Sequence, residues 1–511
     1  MITKVKNTNS PADQELQRSW FVMTCAVLAA ILAIRVLSLH FNTTALFFDE
    51  AQYWLWGKEP DFGYFSKPPI LGWIIALVTG LCGSDSEFCV RLPSPVIHTG
   101  TAFLVYLSAT RLFDVRTGFW AAITFVTLPG ITLSSVLIST DVPLLFCWAG
   151  ALWAYLRLKD GSTWANAILL GVFIGIGLMS KYAMAYFVLC IVTNSLFDKP
   201  ARNTLLNLKF LATTFVALLI LAPNIWWNAQ HEFITASHTG DNIGWQFGNL
   251  RFDKAAEFVG SQFGVFGPVL FAIFLISLIQ FMRKGWSGQQ KFLVIFCLPV
   301  LALIVFQALM SKAYANWAAV TYIAATILIA DILVNRIPAI WNKISLTIHF
   351  ALFAGLSLAV AFSAPGLLTL PDGREPFERL HGWREIGTAT SEKLDQSTYV
   401  GILGDHRHLT AELVYYLRHR PEKVFAFKPI GAPHDHYQLT RPYRGIPKGP
   451  VLLVTSKNQT GIYQTYFKTI TEQGSVELAS GKIRKLWFYQ LRDYVGHSSN
   501  QDSISGAVDG N

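Results

Sequence analysis

Two adjacent carboxylates, Asp49 and Glu50, stand in a dense aromatic stretch, with Phe47 and Phe48 before them and Tyr53, Trp54 and Trp56 after them. A carboxylate held among rings is partly desolvated, which raises its proton affinity and suits it to act as a general base. The alternative use of the same residues is an aromatic belt at a membrane surface with two solvated acids. Lys67 follows, immediately before Pro68 and Pro69. The prolines stiffen the chain and fix the direction of the lysine. An ammonium at headgroup level binds a phosphate as a point charge; snorkelling to lipid headgroups is its other use.

Asp141 opens an apolar run in STDVPLLF, where Ser139, Thr140 or Asp141 suits a helix cap, because a side-chain oxygen there satisfies free backbone N–H groups. Lys181 lies in the tight turn LMSKYAMAY, and Lys312 takes a similar place in MSKAYANW. A cation between two apolar runs points to an anionic partner such as phosphate. The segment 223–261 gathers His231, Glu232, His238, Asp241, Arg251 and Lys254 among tryptophans. His231, Glu232 and His238 suit either a divalent metal or ordinary structural roles. Aromatics beside polar groups suit a sugar, whose C–H face packs on a ring while its hydroxyls seek hydrogen bonds. Arg251 or Lys254 would serve the carboxylate of a uronic acid such as galacturonate; a neutral sugar is equally compatible.

The elements that must position these groups are membrane helices. The 511 residues are 52% hydrophobic and 14% charged, with a mean hydropathy of +0.39. Soluble domains carry roughly 25% charged residues, so this chain needs lipid as its solvent. The net charge of +9 has a membrane explanation, Lys and Arg holding loops on the cytoplasmic side, which excludes a nucleic-acid reading. Six cysteines form no CxxC pair, which argues against a zinc-finger site. Cys82 and Cys89 are the two placed to pair in an oxidising compartment.

Apolar runs of the length a bilayer requires fall at roughly 19–39, 94–113, 117–138, 141–158, 164–180, 182–197, 207–222, 262–282, 290–310, 313–334 and 344–363, about eleven spans. The run 69–82 is short and follows two prolines, so it reads as an interfacial or re-entrant helix. With the N-terminus inside, every inner segment is basic: Lys4, Lys6 and Arg18; Arg111 and Arg116; Arg157 and Lys159; Lys199, Arg202 and Lys209; Arg283, Lys284 and Lys291; Arg336 and Lys343. This is the positive-inside pattern. It puts loops 40–93 and 223–261, with most of the candidate residues, on the outer face.

An odd span count places the C-terminus outside as well. The expected architecture is therefore a polytopic α-helical membrane protein with a C-terminal soluble α/β domain. Residues 1–18 form a cytoplasmic N-terminus, 19–365 the transmembrane domain, 366–495 the extracytoplasmic domain and 496–511 a disordered tail. In the outer domain STYVGILGD, KVFAF and PVLLVTS read as strands, LTAELVYYLRH as a helix and KLWFYQLRDY as a closing strand.

FFDEAQYWLW, YFSKPPILGW, STDVPLLF and LMSKYAMAY, in that order, resemble the membrane glycosyltransferases of GT-C fold. The branch containing protein O-mannosyltransferases and the lipid A aminoarabinose transferase is the most similar, over roughly residues 19–340. The resemblance implies an inverting transfer from a polyprenyl-phosphate sugar to an envelope acceptor: lipid A, lipopolysaccharide core, another glycan or a protein. It implies a catalytic role for Asp49 with Glu50 beside it, a carrier-phosphate contact for Lys67, and corresponding sites at Asp141 and Lys181. Tyr53, Lys312 and Arg251 complete the expected substrate-binding set. It further implies a bacterial inner-membrane location with the site facing the periplasm, no nucleic-acid partner, and no certain cofactor, a divalent metal being one candidate. Ser66 departs from the aminoarabinose branch, which often has Glu before Lys-Pro-Pro. A lipid-linked sugar transporter or flippase is the rival class. It would place substrate groups near mid-membrane, where Arg35, toward the outer end of the first span, is the clearest charge.

Overall fold

A computed structural model of the chain describes residues 11–245, 250–285, 287–363, 375 and 377–496. Residues 1–10 of the expected cytoplasmic segment and 497–511 of the expected tail lie outside the described residues. The chain divides into two compact units, 1–42 with 60–361, and 43–59 with 362–511. The segment 43–59, which carries Asp49 and Glu50, belongs to the unit built by the C-terminal residues.

The first unit is helical. Among its described residues four helices are long and apolar enough to cross a membrane: Pro11–His40, Leu208–Gln230, Gly288–Met310 and Ala339–Ala361. Phe252–Val265 and Pro268–Phe281 would make a fifth, bent by 119°. The expected eleven runs are largely helical, but several are shorter or broken. The run 117–138 divides into Val115–Thr127 and Pro129–Ser134. Pro129 has no N–H to continue the ladder, so Leu128 takes an extended ψ of 138° and a new helix starts. The run 313–334 is α-helical only from Thr321, after a short 3-10 helix at Ala315–Ala318. Ile70–Cys82 has 13 residues, about 20 Å of rise, short of a 30 Å hydrocarbon core.

Small residues set the closest packing. Gly171 and Gly175 are one helical turn apart, and a Cβ at either would meet Thr213 O at 2.6 Å or Ile220 Cβ at 2.8 Å. Trp164–Ser180 therefore packs backbone-close on Leu208–Gln230, as small-xxx-small pairs allow. Larger residues fill the core between helices, including Trp148 against Phe187 with ring centroids 5.0 Å apart. Arg35 is buried, donates to the Val126 carbonyl and lies 5.5 Å over the Phe353 ring. It ties three helices together, a structural use for the charge that a transporter reading would have wanted.

Polar contacts also sort the helix ends. Arg111 pairs with Asp160 at 2.9 Å, Lys159 with Asp198 at 3.0 Å, and Lys209 donates to Ser162 O at 2.6 Å. These join ends that the charge pattern assigns to the inner side. Asp141 and Lys181 meet at the opposite ends of Asp141–Asp160 and Trp164–Ser180, where Asn316 of a 3-10 helix joins them.

The second unit is a five-stranded sheet of order β2-β1-β3-β5-β4. The strands are β1 Gly401–Gly404, β2 Val424–Ala426, β3 Val451–Thr455, β4 Phe467–Glu477 and β5 Lys485–Tyr494. β1 runs parallel to β2 and β3; β5 pairs antiparallel with β3 and β4. β1 and β3 are buried at every residue, as expected of parallel strands covered on both faces. Every strand expected from the sequence is present. β4, FKTITEQGSVE, was not expected, because an edge strand this polar carries no apolar alternation.

Candidate active site

Phe48–Lys58 is a helix of the second unit. Glu50 begins it: its Oε2 accepts the Phe47 N–H at 2.9 Å, and the side chain is buried. Of the two adjacent acids, Glu50 is thus turned into the fold and Asp49 is turned out, with its side chain 34% exposed. The rings do not form a lipid-facing belt. Trp54 and Trp56 are buried, Trp54 edge-on to Tyr415 at 5.0 Å and Trp56 edge-on to His436 at 5.7 Å. Tyr53 is buried against Trp56 at 5.0 Å.

The C-terminal residues hold this helix along its length. Leu46 N–H donates to the Tyr416 hydroxyl at 3.1 Å, Ala45 N–H to Leu380 O at 2.9 Å, and Arg384 to Thr43 O at 2.8 Å. Arg441 pairs with Glu59 at the far end. At the near end Arg407 pairs with Asp49 through Nη2 and donates to Gln52 Oε1 through Nε at 2.9 Å. The His408 ring stacks on Phe48 with centroids 3.7 Å apart. Partial burial, then the neighbouring Arg407 and His406, bring the His408 pKa down to about 4, so the ring is neutral at pH 7. Burial likewise lowers His436, to about 3.

In the first unit, Lys67 closes a turn that Trp227, Asn224 and Thr235 position. Trp227 Nε1 donates to Asp61 Oδ2 at 2.7 Å and Asn224 to Phe62 O at 2.7 Å. Thr235 donates to Tyr64 O at 2.7 Å, and Tyr64 N–H to Lys67 O at 3.2 Å. A Cβ at Gly63 would meet the Trp227 ring at 2.3 Å, so the backbone reaches this position only as glycine. Asp141 does not cap its helix. Thr140 precedes it in helical geometry without a side-chain cap bond, and the Asp141 carboxylate accepts from Lys181 Nζ at 2.6 Å and Asn316 Nδ2 at 2.6 Å. Lys181 therefore faces a carboxylate, which takes one of its three N–H donors.

The remaining expected residues do not converge. Arg251 pairs with Asp253 at 2.9 Å and Lys254 with Glu257 at 2.7 Å, so each has a carboxylate of its own. Lys312 is exposed, 5.9 Å over the Tyr314 ring. His231 stacks on Trp227 and His238 lies edge-on to Phe65. Among the described residues no three His, Cys, Asp or Glu side chains gather as a metal site, and Cys82 and Cys89 are free thiols.

Reading the sequence missed Asn224, Asn228, Asn316, Gln52 and Arg407. Asn224 and Asn228 carried a signal: two amides one turn apart in an apolar helix need polar partners. Tyr182 is that partner, donating to Asn224 Oδ1 at 2.7 Å and accepting from Asn228 Nδ2 at 3.2 Å. Arg407 carried none.

Its sequence relatives and its fold together make the chain an integral membrane glycosyltransferase of GT-C fold. The chain belongs to the family that includes the lipid A galacturonosyltransferase RgtD of Rhizobium johnstonii, to which it is 35% identical over 421 residues, 82% of this chain and 88% of that one. The lipopolysaccharide core galacturonosyltransferase RgtA of the same organism is 25% identical over 289 residues, 55% of this chain and 58% of that one. Residues 66–227 match the dolichyl-phosphate-mannose-protein mannosyltransferase family. The fold is that of ArnT from Cupriavidus metallidurans. Its apo structure superposes with a TM-score of 0.64 at 13% identity, covering 92% of this chain and 98% of that one. The structure of the same protein bound to undecaprenyl phosphate gives 0.65 at 14% identity, with the same coverage of each chain.

Proposed function

We propose that this glycosyltransferase moves galacturonate from a polyprenyl-phosphate carrier to lipid A at the periplasmic face of the bacterial inner membrane. The observation that carries this reading is the 35% identity to a lipid A galacturonosyltransferase across 88% of its length. The undecaprenyl phosphate bound by the ArnT structure of the same fold supports a polyprenyl carrier. The basic inner ends, joined by Arg111–Asp160 and Lys159–Asp198, support the periplasmic side.

In this reaction an acceptor hydroxyl oxygen attacks C1 of the sugar and the bond from C1 to the carrier phosphate breaks. The sugar inverts, and the carrier leaves as polyprenyl phosphate. Asp49, outward-facing and held by Arg407, takes the hydroxyl proton. Lys67 and Lys181 stabilise the negative charge that grows on the departing phosphate, a large term when donors are fixed beforehand. Asp141 orients Lys181 through their ion pair. Tyr53 and Glu50 act by shaping the helix that presents Asp49.

The direct test is transfer from polyprenyl-phosphate galacturonate to lipid A by the purified protein, with Asp49→Asn and Lys67→Ala beside it. Wild type transfers and both variants lose most of their turnover. If both keep wild-type turnover, the residue roles fall. If wild type transfers no galacturonate, the sugar assignment falls, and mass spectrometry of envelope lipids from a deletion strain names the sugar and acceptor instead.

A further inference from the structure

The two cations that the sequence offers for a uronate carboxylate, Arg251 and Lys254, have acidic partners beside them in the chain. Arg407 has an acidic partner too, Asp49, and what sets it apart is its place in the sheet. In the C-terminal unit the chain leaves β1 for β2 on one side and later returns to β3 on the other. β1 is therefore the point where the winding reverses, and in open α/β sheets ligands bind outside the carboxyl ends of the strands at that point. Asp405, His406 and Arg407 occupy this edge. Gly404 makes the turn tight, since a Cβ there would meet Thr410 Oγ1 at 2.3 Å. Asp405 anchors it to the end of β3, accepting from Thr455 Oγ1 at 2.7 Å and Ser456 N–H at 3.3 Å.

Arg407 begins the helix Arg407–Tyr416 that follows. Its Nε is held by Gln52 and its Nη2 by Asp49, and its guanidinium carbon lies 5.3 Å from the centroid of the Phe48 ring. The side chain remains 32% exposed, and no described residue bonds Nη1. A guanidinium fixed on two sides and open on the third is suited to a carboxylate, whose planar geometry matches its fork. It stands next to the acid that we assign as base.

We propose that Arg407 is the specificity residue that reads the sugar carboxylate, so that the C-terminal unit supplies the preference for a uronate over a neutral hexose. This rests on the galacturonate reading above. The competing explanation is a clip that merely holds Asp49, and it makes a different prediction.

The experiment measures binding of decaprenyl-phosphate galacturonate, decaprenyl-phosphate galactose and decaprenyl phosphate to the full-length protein in detergent, by tryptophan fluorescence, for wild type, Arg407→Gln and Arg407→Lys. Wild type should favour the uronate lipid over the galactose lipid by about tenfold to a hundredfold, the range a charged hydrogen bond supports. Arg407→Gln should bring that ratio close to one while the bare carrier binds as before, and Arg407→Lys should keep part of the preference. An unchanged ratio in Arg407→Gln overturns the proposal. So does an equal loss for all three lipids, or a wild-type ratio near one. If wild type favours the uronate lipid but transfers nothing to lipid A, the proposed function fails and the role of Arg407 stands.

Discussion

Asp49 and Arg407 are 358 residues apart in the chain, yet they form an ion pair within one compact unit. The candidate base is therefore presented by the fold of the C-terminal residues. Asp49→Asn keeps the hydrogen-bonding shape but cannot take a proton. We expect turnover to fall by about 10²- to 10⁴-fold, the range for a general base. The KM for the lipid donor should change little, because the donor phosphate is assigned to lysines. Steady-state kinetics on the purified protein decide the matter; near-normal turnover would remove Asp49 from the mechanism.

Asp141 and Lys181 are mostly buried, with side chains 10% and 17% exposed. Removing one partner strands the other, which costs about 3 kcal/mol or more for a buried pair. Lys181→Met should therefore lower the unfolding midpoint more than the double variant Asp141→Asn/Lys181→Met does. Thermal unfolding in detergent reads this directly. The double variant should still lack the cation proposed for the carrier phosphate, so stability should recover without turnover.

Gly63→Ala tests how Lys67 is placed. The added methyl would meet the Trp227 ring at 2.3 Å, and that indole also holds Asp61. Overpacking of this kind typically costs about 1–3 kcal/mol. We expect the turn to shift and the KM for the lipid donor to rise several-fold, with a smaller change in kcat. A change in kcat alone would place the turn outside donor binding.

His436 is buried beside Trp56, and its pKa in the fold is about 3 against an ordinary value of 6.5. The folded unit keeps the ring neutral while the unfolded chain protonates it. This contribution to stability is present above pH 6.5 and is lost as pH falls from 6.5 toward 3. Between pH 7 and pH 5 the loss is about 2 kcal/mol from this group alone. Unfolding midpoints measured across that window should fall, and His436→Phe should flatten the slope. An equal slope in that variant would assign the pH dependence elsewhere.

Much of the protein was legible in the chain itself. Apolar runs are local properties, so the membrane class and the order of the helices could be read directly. Strands β1, β2, β3 and β5 were legible for the same reason, as short apolar runs bounded by turns. The motifs around Asp49, Lys67, Asp141 and Lys181 pointed to the right family because residue type and order survive without coordinates. Partnership was the part that only tertiary structure decided. Glu50 and Asp49 are neighbours of identical chemistry, and only packing turns one inward to bond Phe47 and the other outward to Arg407. Asp141 reads as a helix cap until Lys181 and Asn316 converge on it from distant segments. Hydrogen bonds and ion pairs act over about 3 Å of space. Separation along the chain does not determine that distance; the packing of helices and the winding of the sheet do.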